Sequence, residues 1–284
     1  MLESFRSRQT LGGGSRVDQS RQATKALDKP PTNLPSRMTA DLTQLSAAEL
    51  VAGFRAKAFS PIEVAKAVLE RIELLQPHFN AYRIIDAETT LEQARASESR
   101  WVRAAPLGVL DGVPVGVKDL LHVRGFPTRK GSLATSDVIQ TEDCPAAARL
   151  REAGAVILGK TQTAEFGQRA LTETKLAGVT PNAWDLQYVS GGSSGGAGVA
   201  AGLGLGPLQV GTDGGGSIRN PAAVNGVFGF KTTFGRVAND PPNGSLFVLA
   251  YTRSDRRCMD ERSGLVSDVV RLRSFSPSRS ALRQ

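Results

Sequence analysis

The sequence predicts an α/β fold with a largely buried sheet, mixed or parallel in its strand directions. Three observations carry this. Segments with apolar residues at helical spacing alternate with short, unbroken apolar runs, the pattern of strands covered on both faces. A chain of 284 residues with 40% hydrophobic content is long enough to bury a large core in one or two domains. No run of about 18 apolar residues occurs, so no transmembrane helix is expected.

The elements follow in order. Residues 1–37 are polar, with Pro30, Pro31 and Pro35 and no apolar period, and read as a disordered extension. They lack an apolar stretch of signal-peptide length. Acidic Glu3, Asp18 and Asp28 weaken a transit-peptide reading, and Met38 competes with Met1 as the start. Ser46-Ala-Ala-Glu49 is a capping box ahead of Leu50, Val51 and Phe54 on one helical face. Ser60-Pro61-Ile62-Glu63 is a second box, opening a helix with Val64, Val68, Ile72 and Leu75 that should stop before Pro77. A third helix is expected from Ala87 to Val102. Val113 to Val117 is a short apolar run ending at Lys118. Pro145 to Ala153 reads as a helix, Ala155 to Leu158 as a buried strand, and Thr163 to Ala170 as helical again. Gly195 to Ala201 starts another helix, and Leu208 to Gly211 and Val227 to Lys231 read as strands. From about Thr252 the periodicity is lost, and Arg and Ser make up 15 of the last 33 residues.

The formal net charge of +8 points first to nucleic acid, but its placement argues against that. Residues 1–37 carry +4 and residues 252–284 carry +4, while residues 38–251 hold 20 basic and 20 acidic side chains. The globular part is balanced, so nucleic acid is not expected as its partner. Two distant cysteines, Cys144 and Cys258, exclude a cysteine-rich zinc site and a disulfide framework and fit a reducing cytoplasm.

Two familiar motifs lack their context. Gly154-Ala-Val-Ile-Leu-Gly159-Lys160-Thr161 matches a P-loop by letter, but its four intervening residues form a strand core rather than a loop of free N–H groups. Gly191-Gly-Ser193-Ser-Gly195 matches a nucleophile elbow, yet that chemistry places its histidine after the serine. The two histidines, His78 and His122, both come earlier. His78 reads as a surface turn residue and His122 as a loop residue. A serine still needs a base. Lys118 closes an apolar run, where desolvation would favour the neutral amine. A strand-end salt bridge is the ordinary alternative for such a lysine.

Four motifs occur in order: Gly112-Val-Pro-Val-Gly-Val-Lys118-Asp119, Gly154 to Thr161, Gly191-Gly-Ser-Ser-Gly-Gly196 and Gly211-Thr-Asp-Gly-Gly-Gly-Ser-Ile-Arg219. With Asn220-Pro-Ala-Ala and Gly226-Val-Phe-Gly-Phe-Lys231 they resemble the amidase-signature family of amidohydrolases over about residues 40–245. The resemblance implies a central mixed sheet flanked by helices and a Ser-cisSer-Lys triad. Ser217 would be the nucleophile, Ser193, after a cis peptide bond, the proton relay, and neutral Lys118 the base. Backbone N–H groups of Gly214, Gly215 and Gly216 would form an oxyanion hole, although relatives often carry a larger residue at position 214. Glycine lets the backbone come within about 3 Å of the oxyanion. Ser194 would join the network, and Asp213 and Arg219 would hold the loop.

The implied reaction cleaves a small-molecule carboxylic amide to an acid plus ammonia or an amine through an acyl-enzyme, with no metal or organic cofactor. A cytoplasmic enzyme with no membrane partner is expected, and a second copy, as a homodimer, is the protein partner considered. One alternative is the glutamine-hydrolysing subunit of a tRNA-dependent amidotransferase. The other is a catalytically inactive truncated fragment, because the resemblance fades after Leu249-Ala-Tyr251. The expected organisation is a disordered extension over 1–37, the N-terminal part of an amidase-signature domain over 38–251, incomplete at its C-terminus, and an atypical Arg/Ser-rich tail over 252–284.

Overall fold

The computed structural model describes residues 41–238 and the backbone of residues 248–252. The expected extension over 1–37, the tail after Thr252 and Cys258 lie outside the described residues.

Two helices start where their sequence signals are. In α1 (Ala47–Ala56) and α2 (Pro61–Phe79), Ser46 and Ser60 accept from the backbone N–H of Glu49 and Glu63, whose carboxylates accept in return. Helix α2 does not stop before Pro77 but runs through it to Phe79. The proline loses one intrahelical bond only a few residues from the end. Left-handed Asn80 closes the helix by donating its N–H to Gln76 O, and the Gln76 side chain is tied to the backbone of Tyr82 at both polar atoms. His78 is therefore an exposed residue of the last helical turn, not of a surface turn.

Strand β1 (Tyr82–Ile85), which periodicity did not reveal, follows at once, and then α3 (Ala87–Val102) capped by Asp86. Strand β2 (Pro114–Lys118), α4 (Pro145–Glu152) and β3 (Val156–Thr161) come next. The last of these is three residues longer than its apolar run, because Gly159, Lys160 and Thr161 stay in the ladder. A two-residue ladder, β4 (Glu173–Thr174) with β5 (Gly178–Val179), leads to α5 (Gly195–Gly202), β6 (Leu208–Thr212), α6 (Arg219–Asn225), β7 (Phe228–Gly229) and β8 (Val248–Thr252). The strand expected over Val227 to Lys231 is thus only two residues.

The helix expected over Thr163 to Ala170 is absent. That segment holds only a 3-10 turn at Glu165–Gly167, with Phe166 at φ 47°. Two backbone donors leave the segment, Ala164 N–H to Ser193 O and Phe166 N–H to Lys130 O, while Gly167 and Gln168 N–H close the turn on Ala164 O and Glu165 O. The left-handed backbone at Phe166 and at Gly167 (φ +73°) breaks the right-handed path that a helix here would need.

The sheet is mixed, in the order β1-β3-β2-β6-β8-β7. Its centre, β3-β2-β6, is parallel, and β1, β8 and β7 add antiparallel strands outside it. Val115, Val117 and Ile157 turn to one side, onto Ala146, Ala147 and Leu150 of α4. Leu158 turns to the other, onto Leu50, Phe54, Val64 and Val68 of α1 and α2 and Val199 of α5. Burial on both faces is why the central strands read as continuous apolar runs. Helix α5 lies so close that a Cβ on Gly196 would collide with the backbone of Ala81 and Gln162.

Candidate active site

The three parallel strands end together in polar residues: Lys118 on β2, Thr161 on β3 and Thr212 on β6. The side chain of Lys118 is fully buried, and its Nζ lies 2.7 Å from Ser193 Oγ and 2.8 Å from Thr212 Oγ1. Burial pushes the Lys118 ammonium well below its ordinary value, and the Asp213 carboxylate opposes this only in part. The site therefore favours a neutral amine beside a serine hydroxyl.

Ser193 follows a cis peptide bond from Gly192 and stands just ahead of α5. Thr172 and Asn225 fix this approach. Thr172 Oγ1 donates to Gly191 O at 2.9 Å and accepts from Gly195 N–H at 3.0 Å, while Asn225 Nδ2 donates to Ser190 O at 2.8 Å. Ser194 ties this segment to β6 and to the next loop. Its Oγ donates to Thr212 O and accepts from Thr212 N–H, and its own N–H donates to Ser217 O at 3.1 Å. The backbone of Ser217 thus adjoins the residue after Ser193, and Ser217 itself is half-buried.

Asp213 organises the loop that carries Ser217. Its inaccessible carboxylate accepts from Gly216 N–H at 2.6 Å, Ile218 N–H at 3.2 Å and Arg219 N–H at 3.3 Å, and pairs with Arg219 Nε at 2.9 Å. Burial alone would raise its pKa, but the guanidinium and the three amides outweigh it and hold the acid at about 2. Gly216 adopts φ +112°, a region open to glycine. Because its N–H is engaged by Asp213, Gly216 leaves the set of three amides expected to face an oxyanion. Gly214 and Gly215 are exposed.

The P-loop letters lead to a buried ion cluster instead. Lys160 Nζ donates to Asp119 Oδ1, Thr128 Oγ1 and Pro127 O at 3.1–3.3 Å. Arg83 Nε stands 2.7 Å from Asp119 Oδ2, an ion pair without hydrogen-bond alignment. Lys118 and Lys160 diverge to opposite faces of the sheet, one toward hydroxyls and one toward a carboxylate. His122 is half-buried in the loop after β2, where burial and the charges of Lys130 and Lys160 lower its pKa, and Cys144 is a free thiol at the start of α4. Among the described residues, no three His, Cys, Asp or Glu side chains converge as metal ligands would, and no helix is long and apolar enough to cross a membrane.

Sequence reasoning places Thr212 within a motif without giving it a part, and it misses Thr172. The signal present for Thr212 is a hydroxyl residue closing an apolar strand directly before Asp213.

A family model described as Amidase matches residues 63–250. The chain is 43% identical over 198 residues to the A-type component of a glutamyl-tRNA(Gln) amidotransferase from Acidothermus cellulolyticus, covering 70% of this chain and 39% of that relative. It is 39% identical over 194 residues to an indoleacetamide hydrolase of Bradyrhizobium diazoefficiens, covering 68% and 37%. Among solved structures, an amidase crystal structure superposes with a TM-score of 0.71 at 34% identity, covering 80% of this chain and 51% of that one. The peptide amidase of Stenotrophomonas maltophilia gives 0.69 at 30% identity, covering 74% and 45%. The chain spans about two fifths of the length of the curated relatives it matches. The ordered motifs, the mixed sheet that brings them together and a family match over most of the described residues agree, and the chain belongs to the amidase-signature family.

Proposed function

We propose that this chain carries the catalytic centre of a serine amidohydrolase, with a small-molecule carboxylic amide as its substrate. The observation that carries the reading is the 2.7 Å contact between a buried, neutral-leaning Lys118 and Ser193 Oγ. In the proposed reaction Lys118 Nζ accepts the Ser193 hydroxyl proton while Ser193 Oγ takes the proton of Ser217. Ser217 Oγ then attacks the amide carbonyl, and the N–H groups of Gly214 and Gly215 stabilise the oxyanion. The amine or ammonia leaves with the returned proton, and water hydrolyses the acyl-enzyme. We place this activity in the cytoplasm on the scarcity of cysteine. The domain organisation proposed remains 1–37, 38–251 and 252–284.

A fluorophosphonate probe tests the reading on the 284-residue chain. Labelling of the wild type that is lost in Ser217→Ala is the expected result. A folded sample that takes no label would count for an inactive fragment. The similarity to these amidotransferase components favours one second reading, hydrolysis of glutamine within a larger assembly. Glutaminase activity that appears only when the other proteins of such an amidotransferase are added would select it.

A further inference from the structure

The nitrogen of a lysine side chain has three bonding directions besides its carbon. Lys118 Nζ fills two of them, toward Ser193 Oγ and Thr212 Oγ1. A buried hydroxyl with no partner lies on the neighbouring strand, at Thr161. Thr161 ends β3, and in the parallel ladder it is the register partner of Lys118. Paired residues of adjacent strands, about 4.8 Å apart, turn their side chains to the same face. The preceding pair shows this alternation. Val117 and Lys160 both turn to the opposite face, Val117 into the α4 layer and Lys160 to Asp119. Thr161 is fully buried, and its Oγ1 has no hydrogen-bond partner. Buried hydroxyls left in that state are rare in native folds.

We propose that Thr161 is a positioning residue for Lys118, its hydroxyl accepting the third Nζ–H and so aiming the amine lone pair at Ser193. The bond forms on rotation about Thr161 χ1, since Oγ1 has no partner in its present position. In the neutral amine the two N–H groups then point to Thr212 and Thr161, and the lone pair faces the Ser193 O–H. When the proton moves, the Ser193 O–H bond breaks and the third Nζ–H bond forms. All three directions of the ammonium then meet oxygen. Oxygen binds a charged donor more strongly than a neutral one, so Thr161 strengthens Lys118 as a base.

Other groups also act on this lysine. Asp213 acts on it by charge, against the effect of burial, and the elements around it also carry Arg219 after β6, Lys160 with its partners Asp119 and Arg83, His122 and Lys130 after β2, Tyr82 on β1, and Glu165 in the 3-10 turn. Ser193 and Ser194 ahead of α5 bring hydroxyls only, and α5 itself has no ionisable residue. None of these occupies the register position that Thr161 holds.

The inference rests on Lys118 being the base, and its test does not depend on turnover. The full chain, labelled with ¹³C-lysine, is titrated by NMR, and the Lys118 Cε signal is assigned by its loss in Lys118→Met. Thr161→Val should lower the Lys118 midpoint by about one pH unit, a tenfold change in acid constant. Thr161→Ser, which keeps the hydroxyl, should titrate with the wild type. An unchanged or raised midpoint in Thr161→Val overturns the proposal, as does Thr161→Ser shifting as far as Thr161→Val. Should the valine variant not fold, Thr161→Cys, a weaker acceptor, should lower the midpoint by less, and no shift in it overturns the proposal equally. Failure of the nucleophile reading shows separately, as absent fluorophosphonate labelling at every pH.

Discussion

Replacing Asp213 with asparagine removes one charge from the loop that carries Ser217, and the structure gives the size of the effect. The carboxyl titrates at about 2 in the folded chain. An unfolded aspartate titrates at about 3.9, and one pKa unit is worth about 1.36 kcal/mol. The folded state therefore gains roughly 2.5 kcal/mol from this carboxylate at neutral pH. Arg219, its ionic partner, has a side chain about half exposed, and solvent screening brings the figure nearer about 2 kcal/mol. The sign follows from the depressed pKa. The contribution is fully present above the unfolded value near 4 and is lost as pH falls through about 2. Urea unfolding of wild type and Asp213→Asn at pH 7 and at pH 3 measures both quantities. The variant should lose about 2 kcal/mol at pH 7 and a smaller amount at pH 3. Equal loss at the two pH values, or none at pH 7, would refute the reasoning, because the carboxylate would then not be bound as its three amide contacts and its paired contacts with Arg219 Nε and Nη2 imply.

Three further outcomes follow from the buried lysines. Lys118→Met should abolish fluorophosphonate labelling of Ser217. Because folding lowers the Lys118 pKa, the unfolded chain binds the extra proton between the folded and unfolded values, and stability rises with pH across that window. A stability–pH curve for Lys118→Met should lack that rise. Asp119→Asn leaves Lys160 buried without its carboxylate and should cost about 3–5 kcal/mol, much of it recovered when Lys160→Met is added. Chemical denaturation of the single and double variants checks this, and an additive loss in the double variant would contradict it.

How much of this is legible in the sequence differs by element. The capping boxes at Ser46 and Ser60 locate α1 and α2 because those signals are local: the serine, the glutamate three residues on and the helix they cap are adjacent in sequence. The apolar runs of β2, β3 and β6 are legible because both faces of the sheet are covered. Thr163 to Ala170 misleads because Phe166 and Gly167 take left-handed backbone angles, with Phe166 N–H held by Lys130 O, a partner far away in sequence. Pro77 misleads in another way, since a proline in the final turn costs little when a left-handed Asn80 ends the helix shortly beyond it. At the candidate site, motif order points to Lys118, Ser193 and Ser217. The parts played by Thr212 and Thr161 depend on strand order and register, which no local pattern contains.

The meeting of three strand ends also bears on how the chain reaches its final state. Lys118 and Ser193 are 75 residues apart in sequence, and Lys118 and Thr212 are 94 apart. Closing such loops is entropically unfavourable until the sheet between them has formed, and parallel pairing of this kind is among the slower routes to a native fold. Isolated helices can form early from their own caps, but the amine and its hydroxyls cannot meet until β2, β3 and β6 lie side by side. Reactivity at this site therefore reports the last stage of assembly, and its recovery after refolding should trail the return of helical signal.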